Sequence, residues 1–274
     1  MIHQEIPVVL EKIRTEAKLY TYFWENSKEL YDGRRRPVVI ICPGGAYRMT
    51  SDREAESLAI KFMEMGCHAA VLRYSVAPQK LWPKVFWELG WCVKILRERA
   101  DEWYIEPDKI IVQGSSAGGH LAAGYSSFWK EEWMKSSLHV SDAELLRPNG
   151  QILSYPVISS GEYGHRESFC NLCGEKYDVL KEKVSLEKQV SDAVPPTFIW
   201  HTFEDTTVPA ENAMLYARAL REHGIVTEFH LFPKGAHGLG SADGLGLSED
   251  GRGFQKECAV WMKLVRPWIE NLPF

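Results

Sequence analysis

The chain has 274 residues, 45% of them hydrophobic and 25% charged, with a formal net charge of −5. That length supports one large α/β domain, 1–274, whose core hides on the order of three quarters of the chain's surface, and the acidic balance offers no footing for nucleic acid. No run approaches the ~20 apolar residues that cross a membrane, and residues 1–11 lack a basic start followed by an apolar stretch, so no membrane partner and a cytoplasmic location are expected.

From residue 19 onward, strand-like and helix-like stretches alternate, as a mostly parallel sheet covered on both faces requires. Strands are predicted at 19–24 and 37–42. The second, Pro37-Val38-Val39-Ile40-Ile41-Cys42, runs into Pro43-Gly44-Gly45-Ala46-Tyr47. Residues so poor in side chains leave backbone N–H groups open to a ligand, with Gly45 or Ala46 as the candidate donor. A plain glycine turn is the bland alternative. Gly44 and Tyr47 flank the pair and are placed in a substrate pocket. A helix is predicted over 52–65, with Ser51 as its cap and Gly66 after its end. Strand 69–73 follows, and then helix 84–100, with Val85, Leu89, Cys92 and Leu96 on one stripe. Trp87 and Trp91 at helical spacing read as core.

Strand 109–113 stops in Gly114-Ser115-Ser116-Ala117-Gly118 and continues into a helix-compatible stretch. The pattern G-x-S-x-G is that of a nucleophile on a sharp strand-to-helix turn, with Ser116 at its centre. Glycines two residues to either side remove Cβ atoms that would clash there. Ser115 lacks that flanking and reads as structural. The N–H of Ala117, directly after the nucleophile, is the second candidate donor to an oxyanion. His120 reads as a buried, hydrogen-bonded imidazole.

After a strand at 151–155, residues 159–191 turn polar and then helical, which suggests a small lid inserted in the domain. His165 on that segment is placed within reach of substrate. Cys170-Asn171-Leu172-Cys173 has C-x-x-C spacing, but no second pair completes a zinc site, so no metal is expected. The six cysteines mostly lie in apolar runs, as free thiols of a reducing compartment do.

A strand at 197–200 leads to Asp205, and a strand at 226–231 leads to His237, so both side chains sit on loops at strand ends. Helices are predicted at 208–223 and 253–272. Glu204 competes with Asp205 as the acid. Nucleophile, acid and base in the order Ser116, Asp205, His237 match the α/β-hydrolase arrangement and differ from those of chymotrypsin and subtilisin. Such a triad needs no metal or organic cofactor.

Pro43-Gly44-Gly45-Ala46-Tyr47, Arg53-Glu54-Ala55-Glu56, Leu72-Arg73-Tyr74-Ser75, the segment 114–120, the segment 201–209 and Gly235-Ala236-His237-Gly238 together resemble the α/β-hydrolase esterases of the acetyl esterase and acetylxylan esterase type, relatives of the hormone-sensitive-lipase-like group. The likeness spans roughly residues 17–240, and the pattern His, three residues, Asp, two residues, Val-Pro of the resembled esterases, met here by His201, Asp205 and Val208-Pro209, implies Asp205 over Glu204 as the acid. It implies a twisted, mostly parallel sheet with helices on both faces and a serine carboxylesterase acting without cofactor on short acyl esters of small molecules, often sugars. Pro43 departs from lipase-type loops, which carry His before the glycines. Two other functions stay open at this stage. A hydrolase-fold binding protein without turnover would lack a triad member, and a small serine peptidase or amidase would keep the triad but usually carries a further domain.

Overall fold

The computed structural model describes residues 1–272. The final two residues of the predicted 1–274 domain lie outside the described part. Eight strands form one sheet: β1 (Glu5–Pro7), β2 (Lys18–Tyr22), β3 (Arg36–Cys42), β4 (His68–Arg73), β5 (Ile105–Ser115), β6 (Gly150–Ser154), β7 (Thr197–Thr202) and β8 (Thr227–Phe232). Their order across the sheet is β1-β2-β4-β3-β5-β6-β7-β8. The pairs β1–β2 and β2–β4 are antiparallel, and all others are parallel.

Nine helices accompany the strands among the described residues: α1 (Glu56–Glu64), α2 (Lys84–Glu98), α3 (Ala100–Trp103), α4 (Ala117–Phe128), α5 (Glu132–Leu138), α6 (Arg166–Cys173), α7 (Tyr177–Leu180), α8 (Glu211–Glu222) and α9 (Trp261–Glu270). The two-residue period of β3 decides which of them it meets. Val38, Ile40 and Cys42 join the core built with α2, α4 and α8, whereas Val39 and Ile41 join the core built with α1 and α9. A strand apolar at every position is what a sheet covered on both faces selects. No described helix is long and apolar enough to cross a membrane.

The seven predicted strands all exist, displaced by a few residues at their ends. Strand β1 escaped notice because three residues at a sheet edge, two of them exposed, carry almost no alternation. The predicted helix 52–65 is broken: Asp52–Glu54 is a 3-10 turn, Ala55 leaves helical geometry at φ −112° and ψ −97°, and only then does α1 begin. Ser51 makes no side-chain capping bond. The last helix starts at Trp261 and not near 253, since Gly251 and Gly253 both hold positive φ in a loop.

Residues 159–191 hold α6, α7 and short 3-10 turns. The segment is polar outside, but Phe169, Leu172, Val184 and Leu186 are buried in the α2/α4/α8 core. Bonds from Trp82 N to Leu172 O (3.1 Å) and from Leu186 N to Ile158 O (3.1 Å) tie it to the body of the protein.

Candidate active site

The loops after β3, β5, β7 and β8 leave the same end of the sheet, because parallel strands place their C-terminal ends together. In an open α/β sheet that end is where ligands bind. Ser116 follows β5 at φ 54° and ψ −120°, outside the regions favoured by L-residues, and α4 begins at the next residue. The flanking glycines are required by contact. A Cβ on Gly114 would overlap the carbonyl of Gly118, and one on Gly118 would overlap the carbonyl oxygens of Cys42 and Pro43. The strained turn is thus wedged against the end of β3, whose Cys42 pairs with Gly114 in the sheet register.

His237 and Asp205 meet Ser116 there. Nε2 of His237 lies 2.7 Å from Ser116 Oγ, and its Nδ1 lies 2.6 Å from Asp205 Oδ2. Asp205 is fully buried, and its other oxygen accepts the N–H groups of Thr207 and Val208, both at 2.9 Å. Burial pushes its pKa up, but bonds with His201, His237 and the Val208 N–H outweigh that and hold it well below the usual carboxylate range. Asp205 therefore stays ionised, accepts a hydrogen bond from the Nδ1–H of His237 and leaves Nε2 free to accept the serine hydroxyl. Glu204 is exposed and accepts the Gly235 N–H at 3.3 Å, away from His237. His201 is a buried imidazole whose Nε2 lies 2.9 Å from Val208 O and 3.4 Å from Asp205 Oδ2, so it buttresses Asp205.

Above the serine is an open cleft of about 950 Å³, walled by Gly45, Ala46, Thr207, His165, Ala236, Arg53 and the segment 245–248 among others. Gly45 and Ala46 hold φ values of 126° and 55°. Among the described residues their N–H groups make no hydrogen bond inside the protein. Ala117 opens α4, so its N–H likewise lacks a helical partner. His165 does line the cleft, with Nδ1 2.8 Å from Ser168 Oγ; burial and the neighbouring His237 lower its pKa.

Two expected pocket residues are elsewhere. Tyr47 is fully buried with its hydroxyl 2.9 Å from His120 Nδ1, because the positive φ at Ala46 and Tyr47 turns the chain back into the core. Gly44 is buried too, its N–H donated to Glu54 Oε2 at 2.8 Å. His120 is the buried, bonded imidazole expected; its Nε2 lies 2.8 Å from Val184 O.

Sequence reasoning gave no role to Arg53, Glu54 or Tyr155. Arg53 Nε donates to Gly238 O at 2.8 Å, beside His237. Tyr155 packs edge-on to the His237 ring, centroids 5.0 Å apart. Arg53-Glu54-Ala55-Glu56 counts only toward the family resemblance and Tyr155 only as the end of a predicted strand, and neither signal names a partner distant along the chain.

Residues 39–240 match the family model described as alpha/beta hydrolase fold. The chain is 36% identical over 212 residues to endo-1,4-beta-xylanase B of Butyrivibrio fibrisolvens, covering 76% of this chain and 33% of that protein. It is 30% identical over 210 residues to an acetylxylan esterase of Xylanibacter ruminicola, covering 74% of this chain and 41% of that one. It thus spans well under half the length of these two curated relatives. Among solved structures it resembles an acetyl ester-xyloside bifunctional hydrolase from Caldicellulosiruptor lactoaceticus, with a TM-score of 0.82 and 32% identity over 97% of this chain and 95% of that one. The chain belongs to the α/β-hydrolase fold family.

Proposed function

We propose that the protein is a serine carboxylesterase that removes short acyl groups, acetyl foremost, from hydroxylated small molecules such as acetylated xylo-oligosaccharides. The observation that carries this reading is the unbroken chain from Ser116 Oγ through His237 to buried Asp205, opening on the cleft. Similarity to an acetylxylan esterase and to an acetyl ester-xyloside hydrolase supports the sugar-ester part.

His237 Nε2 takes the hydroxyl proton as Ser116 Oγ bonds to the ester carbonyl carbon. Asp205 orients the ring and stabilises the imidazolium. The N–H groups of Ala117 and of Gly45 or Ala46 receive the oxyanion. As the intermediate collapses, the ester C–O bond breaks and His237 protonates the departing alcohol. Water then attacks the acyl-serine, giving its proton to His237, and the carboxylic acid leaves with Ser116 restored. In this reading the chain acts as one unit, with 159–191 as an insertion bordering the cleft through His165.

The test is hydrolysis of p-nitrophenyl acetate and acetylated xylo-oligosaccharides by the wild type, Ser116→Ala and Ser115→Ala, with fluorophosphonate labelling mapped by mass spectrometry. Ser116→Ala is expected to lose on the order of 10³-fold or more in kcat, and label is expected on Ser116 alone. Label on Ser115, or an active Ser116→Ala protein, would end the assignment.

A further inference from the structure

No step above uses Glu54, yet its carboxylate lies beneath Ser116 between the two loops that must face a substrate. It sits on the 3-10 turn 52–54, is only 2% exposed, and has both oxygens engaged. Oε2 accepts the N–H of Gly44 at 2.8 Å, directly before the Gly45-Ala46 pair. Oε1 accepts the hydroxyl proton of Tyr155 at 2.7 Å. The Tyr155 oxygen in turn accepts the N–H of Gly240 at 2.8 Å, three residues past His237. Tyr155 also packs against the His237 ring. One carboxylate therefore joins the turn carrying the candidate oxyanion donors to the loop carrying the base.

The chemistry explains why a carboxylate stands there. Burying an ion costs several kcal/mol unless donors surround it. Here two donors reach it, Gly44 N–H and Tyr155 O–H, and Gly240 N–H backs the latter. A glutamine of the same shape could keep both contacts, its oxygen accepting the Gly44 N–H and its NH₂ donating to the Tyr155 oxygen, because a phenol accepts as well as donates. The clamp is broken by removing both acceptors, as in Glu54→Leu. Gly44 completes the fit, because a Cβ there would lie 2.6 Å from Glu54 Oε2 and 2.9 Å from Ser116 Cβ. Only glycine lets the carboxylate approach under the nucleophile. With its N–H committed to Glu54, Gly44 is withdrawn from oxyanion binding, which leaves Gly45 and Ala46 for that task.

We propose that Glu54 is a positioning residue: acting through Gly44 and Tyr155, it sets the spacing between the oxyanion turn and His237 that the tetrahedral intermediate needs. The proposal rests on the serine-esterase reading. A misplaced oxyanion donor costs the transition state far more than the bound ester. The loss therefore falls on kcat and leaves KM nearly alone.

The experiment compares wild type, Glu54→Leu and Tyr155→Phe for kcat and KM on p-nitrophenyl acetate, and for Ki of an aryl trifluoromethyl ketone, which forms a tetrahedral adduct with a nucleophilic serine. Glu54→Leu is expected to lose about 10- to 100-fold in kcat with KM within about threefold, and its Ki is expected to rise by the factor lost in kcat/KM. Tyr155→Phe keeps the Gly44 bond and cuts the arm to Gly240, so a smaller loss of the same kind is expected, and it carries the test if Glu54→Leu does not fold. Unchanged kcat and Ki in folded Glu54→Leu, or in Tyr155→Phe where it stands alone, would overturn the proposal, even with a lowered Tm. An inactive wild type whose Ser116 takes no fluorophosphonate would instead remove the esterase reading itself.

Discussion

The carbonyl oxygen of Cys42, at the end of β3, occupies the space that a Cβ on Gly118 would need. Contact between two backbones cannot be relieved by turning a side chain, so the first turn of α4 and the end of β3 fix each other. Gly118→Ala is expected to cost ~3 kcal/mol or more, lowering Tm by roughly 10 °C in a chain of this size. Gly224→Ala serves as the comparison: φ is +72° there, just past the end of α8, but nothing lies within 4 Å of the added methyl. Its cost is the backbone term alone, about 1 kcal/mol. Thermal melts of the two variants check this, and equal shifts would mean that the elbow can relax.

The acid is tested by Asp205→Asn against Glu204→Gln. An Asn amide can turn its NH₂ toward Nδ1 of His237 and favour the tautomer that places a proton on Nε2, where the serine must deliver its own. A loss on the order of 10³- to 10⁴-fold in kcat is expected for Asp205→Asn. Glu204→Gln keeps an oxygen for the Gly235 N–H and should stay within a factor of about three. Similar mild effects from both would point to another carboxylate.

Stability should fall with acid well before the carboxylates titrate. Burial lowers the pKa of His68 and of His120 from 6.5 to about 4. Both stay neutral when folded, whereas the unfolded chain takes up protons near pH 6.5. Their contribution is therefore complete above that pH and is lost between 6.5 and 4, at up to ~1.4 kcal/mol per pH unit for each imidazole. His165, lowered by burial and by His237, acts in the same direction. Glu88, raised by burial, opposes them, because the folded chain takes up its proton at a higher pH than the unfolded chain does. Urea melts at pH 7, 6 and 5 should show the decline, and His120→Gln should make it shallower. A flat profile between pH 7 and 5 would contradict the assignment.

Acyl preference reads the cleft wall. A short-acyl site is expected where the cleft wall is Gly45, Ala46, Thr207, His165 and Ala236, all small or polar residues. An acyl chain that finds an apolar wall gains up to ~0.8 kcal/mol per methylene; one that meets water or a polar wall gains nothing. Across p-nitrophenyl esters from acetate to decanoate, kcat/KM is expected to peak at acetate or propionate and to drop steeply beyond about four acyl carbons. The exposed side chains of Met49, Ile60, Leu245 and Leu247 on the cleft margin supply the contrary outcome: a rise toward octanoate would show that they hold the chain.

Local chemistry made much of this legible without coordinates. The β-branched run 37–42 can only be a strand buried on both faces, and the glycines around Ser116 announce a turn that tolerates no Cβ. The order of Ser116, Asp205 and His237 at strand ends follows from the strand–helix rhythm, because parallel strands bring their C-terminal ends together. What failed was information held in contacts distant along the chain. Tyr47 stands beside the oxyanion turn in sequence, yet the backbone reverses at Ala46 and sends the ring to His120. Glu54 looks like a surface charge at a helix start until the fold sets Gly44 and Tyr155, the latter 101 residues away, against its two oxygens. Period and turn chemistry are properties of neighbours along the chain, so the sequence by itself determined seven of the eight strands and the elbow, and put Ser116, Asp205 and His237 at strand ends. The satisfaction of a buried charge depends on which donors the folded backbone brings to it, and that only the tertiary structure decided.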